Sequence, residues 1–121
     1  MISTDTVARM ALALPEVEAK DHMGRPSFRV RNKIFATLRA DENRAVLKLP
    51  LLDQELVVRT NPAAFALAPW EHQGWTFVQL DQVEAAAFET LLVLAWQNVA
   101  PKRLVAAYEA QARQNESPEL D

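Results

Sequence analysis

The chain has 121 residues, half of them hydrophobic, a formal net charge of −3 and no cysteine. That composition fits a single domain with a sizeable core and argues against disorder, a disulfide framework and thiolate chemistry. No apolar run approaches the roughly 18 residues a membrane-spanning helix needs, and no basic segment followed by an apolar run opens the chain, so neither membrane association nor a signal peptide is expected.

The first predicted element is an amphipathic helix over residues 1–14. Ser3 or Thr4 caps it, Val7, Met10, Ala11 and Leu14 recur at helical spacing, and Pro15 ends it because proline cannot extend the hydrogen-bond ladder. A loosely alternating strand over residues 17–23 follows, broken by Gly24-Arg25-Pro26. Three runs then alternate with period two: Phe28-Arg29-Val30-Arg31, residues 34–39 and residues 44–49. Pairing Val30 with Ile34 and Phe28 with Ala36 leaves Arg31-Asn32-Lys33 as a loop, with Asn32 tolerating a left-handed backbone. Pairing Arg39 with Arg44 puts Leu38 opposite Ala45, Ala36 opposite Leu47 and Ile34 opposite Leu49, with residues 40–43 as a polar hairpin loop. The apolar residues then share one face. Arg29, Arg39, Arg44 and Lys48 share the other, with Phe35, Thr37 and Val46 among them and Arg31 and Lys33 at the turn.

After Pro50, residues 51–59 read as a helix, with Asp53 and Glu55 near its positive end and Leu52, Leu56 and Val57 facing inward. Thr60-Asn61-Pro62 stops it, and residues 63–72 fit a short strand or extended loop. Gly74 starts a strand over residues 75–80 whose two faces are both apolar, which suits a central position. Asp81 is the expected N-cap of a helix over residues 82–98, with Leu91, Leu92, Ala95 and Val99 as its buried stripe and Phe88 and Trp96 adding bulk. Pro101 suits the first position of a last helix ending near residue 112. The reading is one domain over residues 1–113 with a frayed acidic tail over residues 114–121.

Charge is unevenly distributed. Between residues 20 and 50, Lys20, Arg25, Arg29, Arg31, Lys33, Arg39, Arg44 and Lys48 stand against Asp21, Asp41 and Glu42, a local charge of +5 that leaves −8 elsewhere. A basic patch on an acidic body can steer an anionic partner, whereas a merely solvated outer sheet face would carry the same residues for solubility.

The sequence resembles the MmcQ/YjbR-like family of small bacterial proteins. Ala13-Leu14-Pro15, His22, Gly24 to Phe28 and Arg29 to Ala36 carry the resemblance. Leu47-Lys48-Leu49, Gly74-Trp75, Leu80, Ala95-Trp96 and Ala100 to Leu104 follow in order, so it covers nearly the whole chain. It implies an α+β fold: a two-layer single domain, an antiparallel sheet packed by helices, similar to secretion-chaperone-like folds. It also implies DNA binding, with the sheet hairpins as wings. Asn32 stands where a glycine is frequent in the family, and asparagine can adopt the same backbone.

The expected nucleic-acid site is the basic sheet face, Arg29, Arg31, Lys33, Arg39, Arg44 and Lys48, with Phe35 as a stacking plane. Lys102 and Arg103 behind Pro101 form a candidate anion site at a helix start, against which stands an ordinary ion pair with a neighbouring acid. His22, Asp21 and Ser27 match no hydrolase spacing, so no catalytic residue is assigned. Two histidines, His22 and His72, without cysteine argue against a closed metal site, and two glycines cannot build a phosphate loop. Phe65, Trp70 and Trp75 would border any small-molecule cleft. The reading is a non-enzymatic, cytoplasmic DNA-binding domain that makes mainly phosphate contacts and needs no cofactor or metal. Its rivals are a protein- or peptide-interaction module, marked by an exposed apolar patch, and a small-ligand binder, marked by a deep pocket.

Overall fold

Ser3 is extended (φ −81°, ψ 157°) and its Oγ accepts the Thr6 N–H at 3.1 Å, which opens helix α1, Thr4–Leu12. The computed structural model describes residues 2–69 and 73–116. Helix α1 stops two residues earlier than its apolar spacing predicts, at the Ala13 C-cap, but Val7, Ala11 and Leu14 are buried as expected.

Six strands follow: β1 (Val17–His22), β2 (Arg25–Val30), β3 (Lys33–Arg39), β4 (Arg44–Lys48), β5 (Phe65–Leu67) and β6 (Trp75–Gln79). They form one antiparallel sheet in the order β1-β2-β3-β4-β6-β5. Two tight turns set its first half. Met23 and Gly24 both have positive φ (56° and 84°), as do Arg31 and Asn32 (51° and 68°), the combination that two-residue hairpins favour because it matches the strand twist. Arg25 and Pro26, expected to break the chain, therefore begin β2. Lys33, expected in a three-residue loop, pairs with Val30.

The pairing Phe28–Ala36 is the predicted one, but Arg29 then pairs with Ile34 rather than with a residue in step. Phe35 is the extra residue of a bulge. The predicted pairings of Ile34 with Val30 and with Leu49 are replaced accordingly. Phe35 and Ala36 are both fully buried in the core, and Ile34 turns to the opposite face beside Thr37 and Val46. Between β3 and β4 the predicted register holds, from Arg39–Arg44 through Leu38–Ala45 to Ala36–Leu47.

Helix α2 (Leu51–Thr60) docks through a polar anchor. Gln54 is buried, and its Nε2 donates to the Trp75 carbonyl at 2.9 Å and to Thr76 Oγ1 at 3.1 Å. Val57 and Val58 pack on the core, while Leu52 and Leu56, expected inside, are 82% and 53% exposed. Placing Gln54 inward fixes the helix rotation and turns those leucines out. Asp81 lies in a 3₁₀ turn, Leu80–Gln82, instead of capping. Glu84 occupies the N-cap of α3 (Ala85–Val99) without a side-chain bond. Helix α4 (Lys102–Glu116) runs past the predicted end near residue 112, so residues 114–116 are helical, and residues 117–121 lie outside the described part.

The helices share one side of the sheet. Val7 and Ala11 of α1 and Phe88, Leu91, Leu92, Ala95 and Trp96 of α3 form one cluster with the inward residues of β2, β3, β4 and β6. Tyr108 of α4 packs 5.2 Å from Trp96, whose Nε1 donates to the Pro15 carbonyl. Val46 is buried yet outside that cluster, because it belongs to the sheet's other face. The fold is thus α+β in two layers, helices on one side and, among the described residues, a helix-free sheet face on the other.

Candidate nucleic-acid interface

Residues directly opposite in an antiparallel pair project to the same side. The strand register therefore orders the helix-free face into cross-strand rows. One row runs His22–Arg25 across β1 and β2 and Arg39–Arg44–Gln79 across β3, β4 and β6. The middle row runs Lys20–Ser27–Thr37–Val46–Phe77–Ala66. A third holds Glu18–Arg29–Ile34 on one side and Lys48–Trp75 on the other. Cations thus flank a central strip that is apolar or hydroxylic apart from Lys20 at its β1 end.

The cations are positioned rather than loose. The Arg39 and Arg44 guanidiniums lie 5.3 and 4.3 Å from the Phe77 ring centroid, and the Lys48 ammonium lies 5.8 Å from that of Trp75. These contacts hold flat or compact charges over aromatic faces and preorganise them. Arg29 Nε donates to Ser27 Oγ at 3.2 Å, and that hydroxyl donates to the Lys20 carbonyl at 2.8 Å. Glu42 sits between Arg39 and Arg44 at 3.8 and 3.4 Å, and Asp41 meets Arg25 at 3.5 Å. Charge-assisted hydrogen bonds close to about 2.7–2.9 Å, so these pairs are longer than that range. Lys20 pairs with Glu18 at 3.9 Å.

The same face is hollowed by a cavity of about 450 Å³. Ile34, Thr37, Val46 and Trp75 contribute to its lining, together with Arg25, Arg39, His22 and Met23. The bulge creates part of it, because it swings Ile34 onto this face and withdraws Phe35.

The family model for YjbR matches residues 12–98. The chain belongs to the YjbR family. Among solved structures it is similar to the Deinococcus radiodurans protein DR2400, which carries a DUF419 domain, with a TM-score of 0.75. The two share 20% identity over 84% of this chain and 81% of that one, a likeness of fold. No curated protein matches the chain.

In this YjbR domain the predicted site residues separate. Arg29, Arg39, Arg44 and Lys48 lie on the helix-free face as expected. Arg31 does not: it stands on the tight turn, where its Nε donates to Glu16 Oε1 at 2.6 Å. The Arg31 hydrogen bond holds the Glu16 carboxyl below the usual glutamate range, with the Arg31 and Arg103 charges acting in the same direction and burial opposing them. The same bond raises Arg31. Lys33 is in register with core-facing Val30, so it belongs to the helix side of the sheet. Phe35 is no stacking plane, because the bulge buries it completely. Lys102 and Arg103 are exposed at the start of α4, and Arg103 acts electrostatically on Glu16, a neighbouring acid, remote from the cationic rows.

Ser27 is buried with its proton given to the Lys20 carbonyl, and Asp21 Oδ2 accepts the Gly24 N–H at 3.2 Å. Neither is aligned with His22 as nucleophile and base. Trp70, Glu71 and His72 lie outside the described residues. Among the described residues no group of three or more metal-ligating side chains gathers, and no helix is long and apolar enough to cross a membrane. The face has members outside the expected nucleic-acid site: Arg25, Phe77 and Trp75, the last expected only beside a small-molecule cleft. Trp75 and Phe77 alternate with Thr76 and Val78, a usable signal, but with apolar residues on both faces the strand did not declare which one is bare.

Proposed function

We propose that the helix-free face of this YjbR domain is a non-enzymatic nucleic-acid-binding surface. Arg25, Arg29, Arg39, Arg44 and Lys48 contact phosphates, and little sequence is read. The observation that carries this reading is the gathering of those cations, with Lys20, on the sheet face that no helix covers among the described residues, in a chain whose net charge is −3. Phosphate neutralisation releases counterions, so affinity falls steeply with salt. Five phosphate contacts predict a slope of log K against log salt of about −4.5 for a duplex and about −3.5 for a single strand.

The test is fluorescence anisotropy of labelled DNA, single- and double-stranded, titrated with salt. Charge reversal in an Arg39→Glu, Arg44→Glu double variant is expected to abolish binding and flatten the salt dependence. Wild-type affinity in that variant would remove the site assignment. A protein- or peptide-interaction module is the competing reading, supported by exposed Leu51, Leu52 and Leu56 on α2 and Leu67 on β5. It predicts no DNA binding even at low salt.

A further inference from the structure

We infer that the cavity in the cationic face holds one flat, unpaired base joined to its phosphate, an inference that rests on the nucleic-acid reading above. The volume of about 450 Å³ lies within the range of small-ligand pockets, about 300–1,000 Å³. Phosphate contacts alone would be served by a flat or convex cationic surface. A hollow lined by Ile34, Val46 and the Trp75 indole offers an apolar, partly aromatic wall that phosphates do not use. Thr37 brings a hydroxyl that can donate to or accept from a base edge. Arg25 and Arg39 line the same hollow, so an anion attached to the ring meets a guanidinium without leaving the site.

The chemistry required is therefore a flat heterocycle bonded to a phosphate. In a duplex both ring faces are occupied by stacking and the pairing edge is used, so a base enters only after flipping out, at a cost of a few kcal/mol. An unpaired strand presents its bases at no such cost, and a base stacked on an aromatic side chain binds more tightly for it. The ligand's source is either a residue within a single strand or a free mononucleotide.

The experiment compares a labelled 15-nucleotide oligothymidylate, a duplex of equal length at the same salt, and thymidine 5′-monophosphate as competitor. The wild type is expected to bind the single strand about tenfold or more tightly than the duplex. Trp75→Leu, which removes the indole wall, and Ile34→Trp, which fills the hollow, are each expected to bring that ratio towards one. Thermal melting by circular dichroism establishes that each variant is folded. Oligomer binding much tighter than monophosphate binding assigns the cavity to a strand. Equal binding, with the same sensitivity to both variants, assigns it to a free nucleotide. A duplex bound as tightly as the single strand, or a ratio unmoved in both folded variants, overturns the cavity assignment and leaves the phosphate-binding reading standing. Failure of both nucleic acids and the monophosphate to bind at low salt overturns both.

Discussion

At the scale of single residues, charge placement separates what the face does from what merely decorates it. Glu42 lies between Arg39 and Arg44 and partly neutralises both. Replacing it by glutamine is expected to tighten nucleic-acid binding by about three- to tenfold at low salt, because two guanidiniums lose an internal competitor. An unchanged affinity in Glu42→Gln would mean that those arginines meet no phosphate. Arg31 supplies the control. Its partner Glu16 is pulled below its ordinary value by that pairing, so folding favours the charged carboxylate. The stability it contributes is present above the unfolded-state value and is lost as pH falls through the lower folded value. Arg31→Ala is therefore expected to raise the Glu16 titration midpoint, followed by carboxyl NMR, and to leave nucleic-acid affinity within about twofold, since an exposed pair off the face contributes little. Arg29, Arg39, Arg44 and Lys48 were legible in the sequence because strict alternation assigns a face. Arg31 and Lys33 were not, because a two-residue turn with both centres at positive φ shifts Lys33 and Ile34 by one step relative to a three-residue loop, until the bulge at Phe35 restores the expected register from Ala36 on.

Among the elements, the bulge on β3 decides most. It moves Phe35 into the core and Ile34 out of it. Phe35→Ala is accordingly expected to destabilise the domain by about 3–5 kcal/mol, read from denaturant unfolding, as for other buried phenylalanines. A loss under about 1 kcal/mol would return Phe35 to the surface role that alternation alone suggests. The approach of β6 to the end of β4 rests on a different residue. Gly74 has φ +89°, and a Cβ there would stand 2.1 Å from the Leu49 carbonyl oxygen, whereas Gly74 itself accepts the Leu49 N–H at 2.9 Å. Gly74→Ala is expected to cost roughly 2–4 kcal/mol, combining left-handed strain with displaced backbone, and to disturb Trp75 next to it. The β3–β4 register was readable because a slip would have exposed Ala36, Leu38, Ala45 and Leu47 together. The bulge was not, because an inserted residue inside a hydrophobic run leaves no turn residue to mark it. Helix α2 misled for a related reason: its leucines outnumber its valines, but one buried glutamine with two acceptors to satisfy set the rotation.

For the molecule as a whole, the separation of layers is what links fold to function. Helices cover one sheet face and bury most of the apolar residues, which leaves the other face to the cations of a net acidic chain around a strip that includes Ile34, Val46 and Phe77. That division was legible as a two-layer α+β fold with one oily and one basic face, and membership of the YjbR family agrees with it. Depth was not legible, because the hollow arises from the bulge and from which side of β6 is bare, neither of which a period-two pattern records. On the proposed function this face, and no other, meets nucleic acid. The most direct test is backbone and side-chain NMR shift mapping of the full chain against a single-stranded oligonucleotide. The expected result is a continuous footprint over Arg25, Arg29, Ile34, Arg39, Arg44, Lys48 and Trp75 that fades as salt rises. A footprint centred on Leu52 and Leu56 of α2, on Lys102 and Arg103, or nowhere on the protein would contradict it.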